Sequence, residues 1–375
     1  MEGMRERIGR ACEKLGTPAS FADSKRRMEL GDYLCLFLFG LINPAVRTMR
    51  GLCAASHLER VQKEVCARPV SLGSFSEAQQ VIDLGLLEEV FAGLAREVNA
   101  TKAPRNAADD RRWHIVDSTL WEALPRMHWA LWRNQGCAQH AVRLHLSLNI
   151  VDDKPVQATM TSGRFCERRA WRGRWKPGDA YVGDRYFGED YRFFGELDTM
   201  GCAYVLRLRD VAVFEIEEEL PVGEEDARAN VLRHAWGHLG CKKRYRSARV
   251  RLVWVQTPKE VLLLVTNQTP GHMSASLVAQ LYRQRWQVEL FFRWIKCILG
   301  CRHWLAESPK GVAIQIYLAL IAALLLQLHS GKRPNRRMME LIQLHLMGVA
   351  SLEELENGLA RELAALERAK NKKTT

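Results

Sequence analysis

The sequence has no internal repeat and no low-complexity tract, which removes solenoid and disordered architectures. It has no leading apolar segment: Met1–Ala11 is charged and lacks an h-region, so no signal peptide is expected. No apolar run reaches the roughly 20 residues of a membrane span. The nearest, Val312–Leu326, contains Gln315 and Tyr317 and is expected to be a buried core helix, giving a soluble cytoplasmic protein. Paired cysteines at metal-ligand spacing are also missing. The 10 cysteines are scattered, as for reduced thiols. Cys297 with Cys301, and His234 with His238 and Cys241, fall short of a four-ligand zinc set. Acidic residues are in deficit, with 43 Asp and Glu against 55 Lys and Arg and a net charge of +12. Such an excess favours a polyanionic partner through counterion release. Many basic proteins never touch nucleic acid, so charge alone does not decide.

What is present, over 375 residues, suits one large domain with appendages, or two to three smaller units. Residues 1–110 read as a helical N-terminal domain. Asp32–Leu41 is apolar up to a break at Asn43-Pro44, and Glu77–Val98 has helical periodicity with Ser74 or Ser76 as its cap. Asn99–Arg112 is polar and reads as a linker. Strand texture follows. Trp113–Val116 leads into Asp117, and Val142 to Ile150 alternates strictly with polar residues. After the turn at Asp152–Pro155 the strand Val156–Thr161 returns, then the basic stretch Arg164–Lys176. Ala180–Gly183 is a short strand ending at Asp184, and Tyr191–Met200 a helix. Ala203–Leu208, Val211–Ile216, Arg249–Val255 and Val261–Val265 are further strands. The expectation is a mixed α/β domain over 111–330 with a β-rich insertion at 210–265, then a helical tail, 331–375.

The densest chemical signal is the segment Tyr282–Lys296. On a helix of about 100° per residue, Tyr282, Arg285, Glu289 and Lys296 share one narrow stripe, with Arg293 at its edge. A solvated face with an i,i+4 Arg285–Glu289 pair would account for part of this. A single carboxylate among cations is also what a metal–phosphate site requires. Asp117 and Asp184 each stand at the end of a short apolar strand, where α/β sheets present ligands. Either alone is more simply a turn or cap residue. Together with Glu289 they offer the hard oxygen donors of a divalent-cation site.

These residues resemble the insertion-sequence-four family of DDE transposases, which have an RNase H-like catalytic core. The likeness is carried by Asp117-Ser118-Thr119, by Gly183-Asp184-Arg185-Tyr186-Phe187, and by Tyr282-x2-Arg285-x3-Glu289-x6-Lys296. It covers roughly Trp113 to Leu328. It implies an RNase H-like mixed sheet with flanking helices and a β-rich insertion before the catalytic Glu helix. It implies two Mg²⁺ or Mn²⁺ ions held by Asp117, Asp184 and Glu289. Tyr282, Arg285 and Lys296 would hold phosphates of the transposon end, with Arg293 and Arg185 in the same groove and Trp286 stacking on a base or ribose. The expected activity is cleavage of transposon ends and 3′-OH strand transfer into target DNA. The expected partners are the terminal inverted repeats, target DNA and a second copy of the chain. Two other accounts stay open: a DNA-binding protein on this fold that no longer transposes, and a two-carboxylate glycoside hydrolase, which the cationic stripe disfavours.

Overall fold

The structure, a computed structural model, describes residues 2–15, 28–99, 111–134, 137–241, 245–301 and 303–372. Most of the linker lies outside them, as do Lys25, Arg26 and Arg27, a basic run of the N-terminal segment that could touch phosphates. The chain forms two compact units. One joins Lys102–Glu122 to Ala130–Phe291; the other gathers Met1–Thr101, Ala123–Trp129 and Phe292–Thr375.

The first unit is built on ten described strands: β1 Trp113–Glu122, β2 Leu131–Asn134, β3 Cys137–Asn149, β4 Lys154–Ser162, β5 Ala180–Gly183, β6 Ala203–Arg207, β7 Phe214–Leu220, β8 Val231–Cys241, β9 Tyr245–Gln256 and β10 Val261–Thr266. Their order is β2-β3-β1-β5-β6-β10-β9-β8-β7, with β4 also on β3. Within it, β4-β3-β1 is an antiparallel meander, and β1-β5-β6 pair in parallel. Parallel neighbours need a crossover. The helices Glu167–Trp171 and Tyr191–Thr199 lie in the two crossovers. This is the RNase H-like arrangement, and β7 to β10 extend its sheet antiparallel.

The core beneath β1, β5 and β6 is aromatic. Trp175 stands 4.7 Å from Tyr181 and 5.2 Å from Phe193, ring to ring, and Trp171 stacks on it at 5.6 Å. The two tryptophans of the basic stretch are therefore structural. The acidic strand β7 is largely neutralised across the sheet: Arg249 reaches Glu217 and Glu218, and Arg233 reaches Glu219. The insertion is fastened to the helix Ala275–Gln284, because Asp226 accepts from the Ser276 amide (2.6 Å) and Arg283 donates to the Ala229 carbonyl (2.7 Å).

The second unit is helical and differs from the expected division. The helix Pro309–Ser330 was assigned to the catalytic domain, and 331–375 to a separate tail. Both instead pack with the N-terminal helices. The physical reason is that Pro309–Ser330 is apolar on every side, so it must be surrounded. It is long and apolar enough to cross a membrane, yet 94% of its most apolar stretch is buried here. Helices Leu30–Ile42, Leu72–Val81 and Leu84–Asn99 cover it, and Tyr317 donates to Glu88 at 2.7 Å. The expected helix Glu77–Val98 is two helices broken at Ile82-Asp83. Its cap is Ser71, which accepts from the Ser74 amide, rather than Ser74 or Ser76.

Candidate active site

β1 runs on past Asp117 to Glu122, so Asp117 is not at a strand end as the sequence suggests. What ends there is its neighbour. The parallel pairing of β1 with β5 stops at Ile115 opposite Val182, and β5 closes at Gly183. Carrying that register on by two residues sets Asp117 level with Asp184, across a strand spacing of about 4.8 Å. Asp117 thus lies at the mouth left where β5 stops.

Each aspartate is tied back to the backbone. Asp117 Oδ1 accepts from the Ser118 amide at 2.7 Å, and Asp184 Oδ1 from the Tyr186 amide at 2.9 Å. The turn after Asp184 is held tightly. Arg168 donates to the Tyr186 carbonyl at 2.6 Å and lies over the Tyr186 ring. At Gly188 a Cβ would overlap the Arg207 carbonyl oxygen, so only glycine fits.

The signature segment is not one straight helix. Helix Ala275–Gln284 ends at Arg285, whose amide bonds to the Tyr282 carbonyl; a second helix, Trp286–Arg293, follows, then a π-turn, Trp294–Ile298. The corner at Arg285 brings the catalytic-type residues together. Its guanidinium donates to Asp117 Oδ2 (3.4 Å) and to Glu289 Oε1 (2.6 Å). Asp117, Asp184, Glu289 and Arg285 form one cluster on the sheet unit. Tyr282 is buried beside it, with its ring 5.9 Å from the Arg285 guanidinium carbon. Arg185 is exposed. Trp286 is 54% exposed, so it is not a core residue. Arg293, exposed, and Lys296, half-buried in the π-turn, belong to the helical unit. A π-turn advances the chain differently from an α-helix, so the single stripe drawn from regular spacing does not extend to Lys296.

Sequence reasoning passed over three residues. Glu167, 6% exposed, begins the crossover helix, and Asp117 and Asp184 are the charges that bear on it most. Ser118 hydrogen-bonds it. Arg143 donates to Ser118 Oγ (2.9 Å) and clasps the Gly163 carbonyl. A signal was there: Glu167 is a lone acid in the run Arg164–Lys176, the same pattern that singled out Glu289. Burial first, then Asp184, pushes Asp117 up to about 7; burial, then Asp117 and Asp184, pushes Glu167 up to about 8. Only Arg285 offsets this at Asp117 through a direct ion pair.

Among the described residues no three acids, histidines or cysteines are drawn tightly enough to form a ready metal cage. The donor chemistry nevertheless fits a hard divalent cation: oxygen ligands only, crowded beyond what one arginine neutralises. His234 and His238 bond to the Pro221 and Ser247 carbonyls, as structural histidines do.

Arg285 therefore acts as a counter-ion to Asp117 and Glu289. Arg285→Ala is expected to cost roughly 3 kcal/mol, since it leaves two partly buried carboxylates unpaired. That would lower the melting temperature by about 6–12 °C for a unit of this size. A melting curve unchanged within about 2 °C would show that the cluster needs no such bridge.

The model of the Transposase DDE domain family matches residues 110–325. The chain belongs to this family. It is 34% identical over 118 residues to a putative transposase, y4zB, of Sinorhizobium fredii, covering 32% of this chain and 31% of that protein. A probable transposase for insertion sequence element IS5377 of Geobacillus stearothermophilus is 25% identical over 57% of this chain and 55% of that protein. A putative transposase for element IS4SA of Synechocystis is 21% identical over 69% and 72%. The chain thus matches about half or less of the first two. The two insertion-sequence relatives agree with the insertion-sequence-four resemblance of the motifs. Among solved structures, a piggyBac transposase synaptic complex with hairpin DNA aligns over 96% of this chain and 77% of that one, at 12% identity and TM-score 0.44.

Proposed function

We propose that this chain is a DNA transposase that cuts the ends of its element and joins the freed 3′-OH to target DNA. The observation that carries this is the single guanidinium of Arg285 bridging Asp117 and Glu289, with Asp184 the charged neighbour that most raises Asp117. Asp117, Asp184 and Glu289 would hold two Mg²⁺ or Mn²⁺ ions. When bound, such ions supply an activated water or 3′ hydroxyl and stabilise the leaving oxygen of the phosphodiester.

The chain's own residues do the placing. Asp117 and Asp184 are each fixed by a backbone hydrogen bond, which sets the direction of the carboxylate. The Arg285 guanidinium, with Tyr282 beneath it, would take a phosphate oxygen of the transposon end where bound cations held the carboxylates. Arg185, Arg293 and Lys296 add phosphate contacts. Exposed Trp286 offers a flat face for a base or ribose. The N-terminal helices read the end sequence, and two copies of the chain work on one DNA complex.

Nicking of supercoiled plasmid bearing the element's ends tests this. Nicking is expected with Mg²⁺ and not with chelator. Its rate should rise as pH passes upward through about 7, because a protonated Asp117 competes with the cation and is lost above its raised pKa. Binding without nicking under all these conditions would mark a DNA-binding protein that no longer transposes.

A further inference from the structure

Glu167 is a fourth carboxylate at this cluster, and its position is hard to explain as structural. A carboxylate that is 6% exposed is costly unless it is paired or coordinated. Its Oε1 is buried and has no hydrogen-bond partner among the described residues. Arg143, a cation that bears on it, gives its hydrogen bonds to Ser118 and to the Gly163 carbonyl instead. The neighbours that bear on Glu167 most are themselves acids, Asp117 and Asp184. A buried, orphaned oxygen on a side chain whose strongest charged neighbours are two other carboxylates is a donor arrangement for a cation.

We propose that Glu167 is a further metal-binding residue, supplying Oε1 as an oxygen donor, directly or through a bound water, to a divalent cation held with Asp117 and Asp184. The placement has a physical logic. Asp184 has one oxygen tied to a backbone amide and one left to offer, while at Asp117 one oxygen is tied to a backbone amide and the other is shared with Arg285 at 3.4 Å. A six-coordinate cation still needs oxygens from elsewhere. Glu167 comes from the crossover helix, on a different element from Glu289, so the two glutamates approach the aspartates independently. Arg143 is a positioning residue in this scheme: it fixes the Ser118 hydroxyl, which bears on Glu167.

The inference rests on the metal reading of the Asp117–Asp184 pair, and the experiment separates the two. Mn²⁺ is titrated into the full-length chain without DNA, and free Mn²⁺ is counted by electron paramagnetic resonance. Glu167→Gln keeps the size of the side chain and its hydrogen bond to Ser118 but removes the charge. Expected are a 10–100-fold loss of Mn²⁺ affinity, an unchanged circular dichroism spectrum, and a smaller Mn²⁺-induced rise in melting temperature. Glu167→Asp, with its carboxylate drawn back by one methylene, should fall between. Wild-type Mn²⁺ affinity in Glu167→Gln, alongside its loss in Asp184→Asn, would overturn the role of Glu167 and leave the metal site standing. No Mn²⁺ binding by the wild-type chain would overturn both.

Discussion

Glu289→Gln and Asp184→Asn each reduce Mg²⁺-dependent nicking by on the order of 10³-fold or more, while DNA binding stays within about threefold of the wild type. The size follows from what is removed. A carboxylate that fixes a catalytic cation acts on the whole barrier, in the range seen when charge-stabilising groups are lost. The amide variants are chosen because they preserve structure. In Asp184→Asn the side-chain carbonyl oxygen can still accept from the Tyr186 amide, so the turn after β5 is kept. In Glu289→Gln the side chain can still accept from Arg285, though without the charge. Removing a negative charge beside a phosphate track should if anything tighten DNA binding, so a variant dead in cleavage yet sound in binding separates chemistry from recognition. Filter binding at two salt concentrations, run beside the nicking assay, reads both. Retention of more than about a tenth of wild-type nicking by both variants would remove these residues from the chemistry.

The parts of this picture that sequence made legible are those set by local pattern. The strict alternation from Val142 to Ile150 names β3, since only a strand has period two, but not its burial: His145, Ser147 and Asn149 on the polar face are buried along with the leucines. The apolar run ahead of Asp184 names β5. β8 was not legible: Gly237 and Gly240 interrupt its alternation. Gly237 is there because β7 approaches so closely that a Cβ would overlap the Glu215 carbonyl oxygen. Asp117 was read as a strand end because the apolar residues stop there, whereas the crevice comes from β5 being shorter than β1, a property of the pair. Regular spacing from Tyr282 to Glu289 named residues that the structure sets around one guanidinium, but the corner at Arg285 and the π-turn after Arg293 are not in that spacing. Glu167 was obscured by the arginines around it. A lone acid in a basic run is a usable signal only once its neighbours in space are known.

The same limit governs the domain boundary, where the structure makes its other strong prediction. A chain beginning at Arg111, the natural way to test whether the N-terminal helices read DNA, is expected not to give soluble folded protein. Pro309–Ser330 is buried along nearly its whole length, with Ile314, Leu318, Leu320, Ile321, Leu324 and Leu326 fully enclosed. Its covers include Leu30–Ile42, Leu72–Val81 and Leu84–Asn99, all lost in the truncation. At about 1.5–3 kcal/mol for each large apolar side chain returned to water, six such residues amount to roughly 9–18 kcal/mol. Even as an upper estimate, that rivals the whole stability of an ordinary domain, about 5–15 kcal/mol. The fragment should aggregate, or bind a hydrophobic dye without a cooperative melt. The fragment 1–110 should fail in turn, because its helices are built around a partner it no longer has. Gel filtration and circular dichroism of the two fragments check this, and a monodisperse, cooperatively melting 111–375 chain would show that the helical unit is not one folding body. If the expectation holds, recognition of the element's ends by the N-terminal helices has to be measured by charge-reversing substitutions on their exposed faces in the full-length chain. A shift in preference for the terminal repeat over random DNA is then the readout, because loss of overall affinity would follow from any lost phosphate contact.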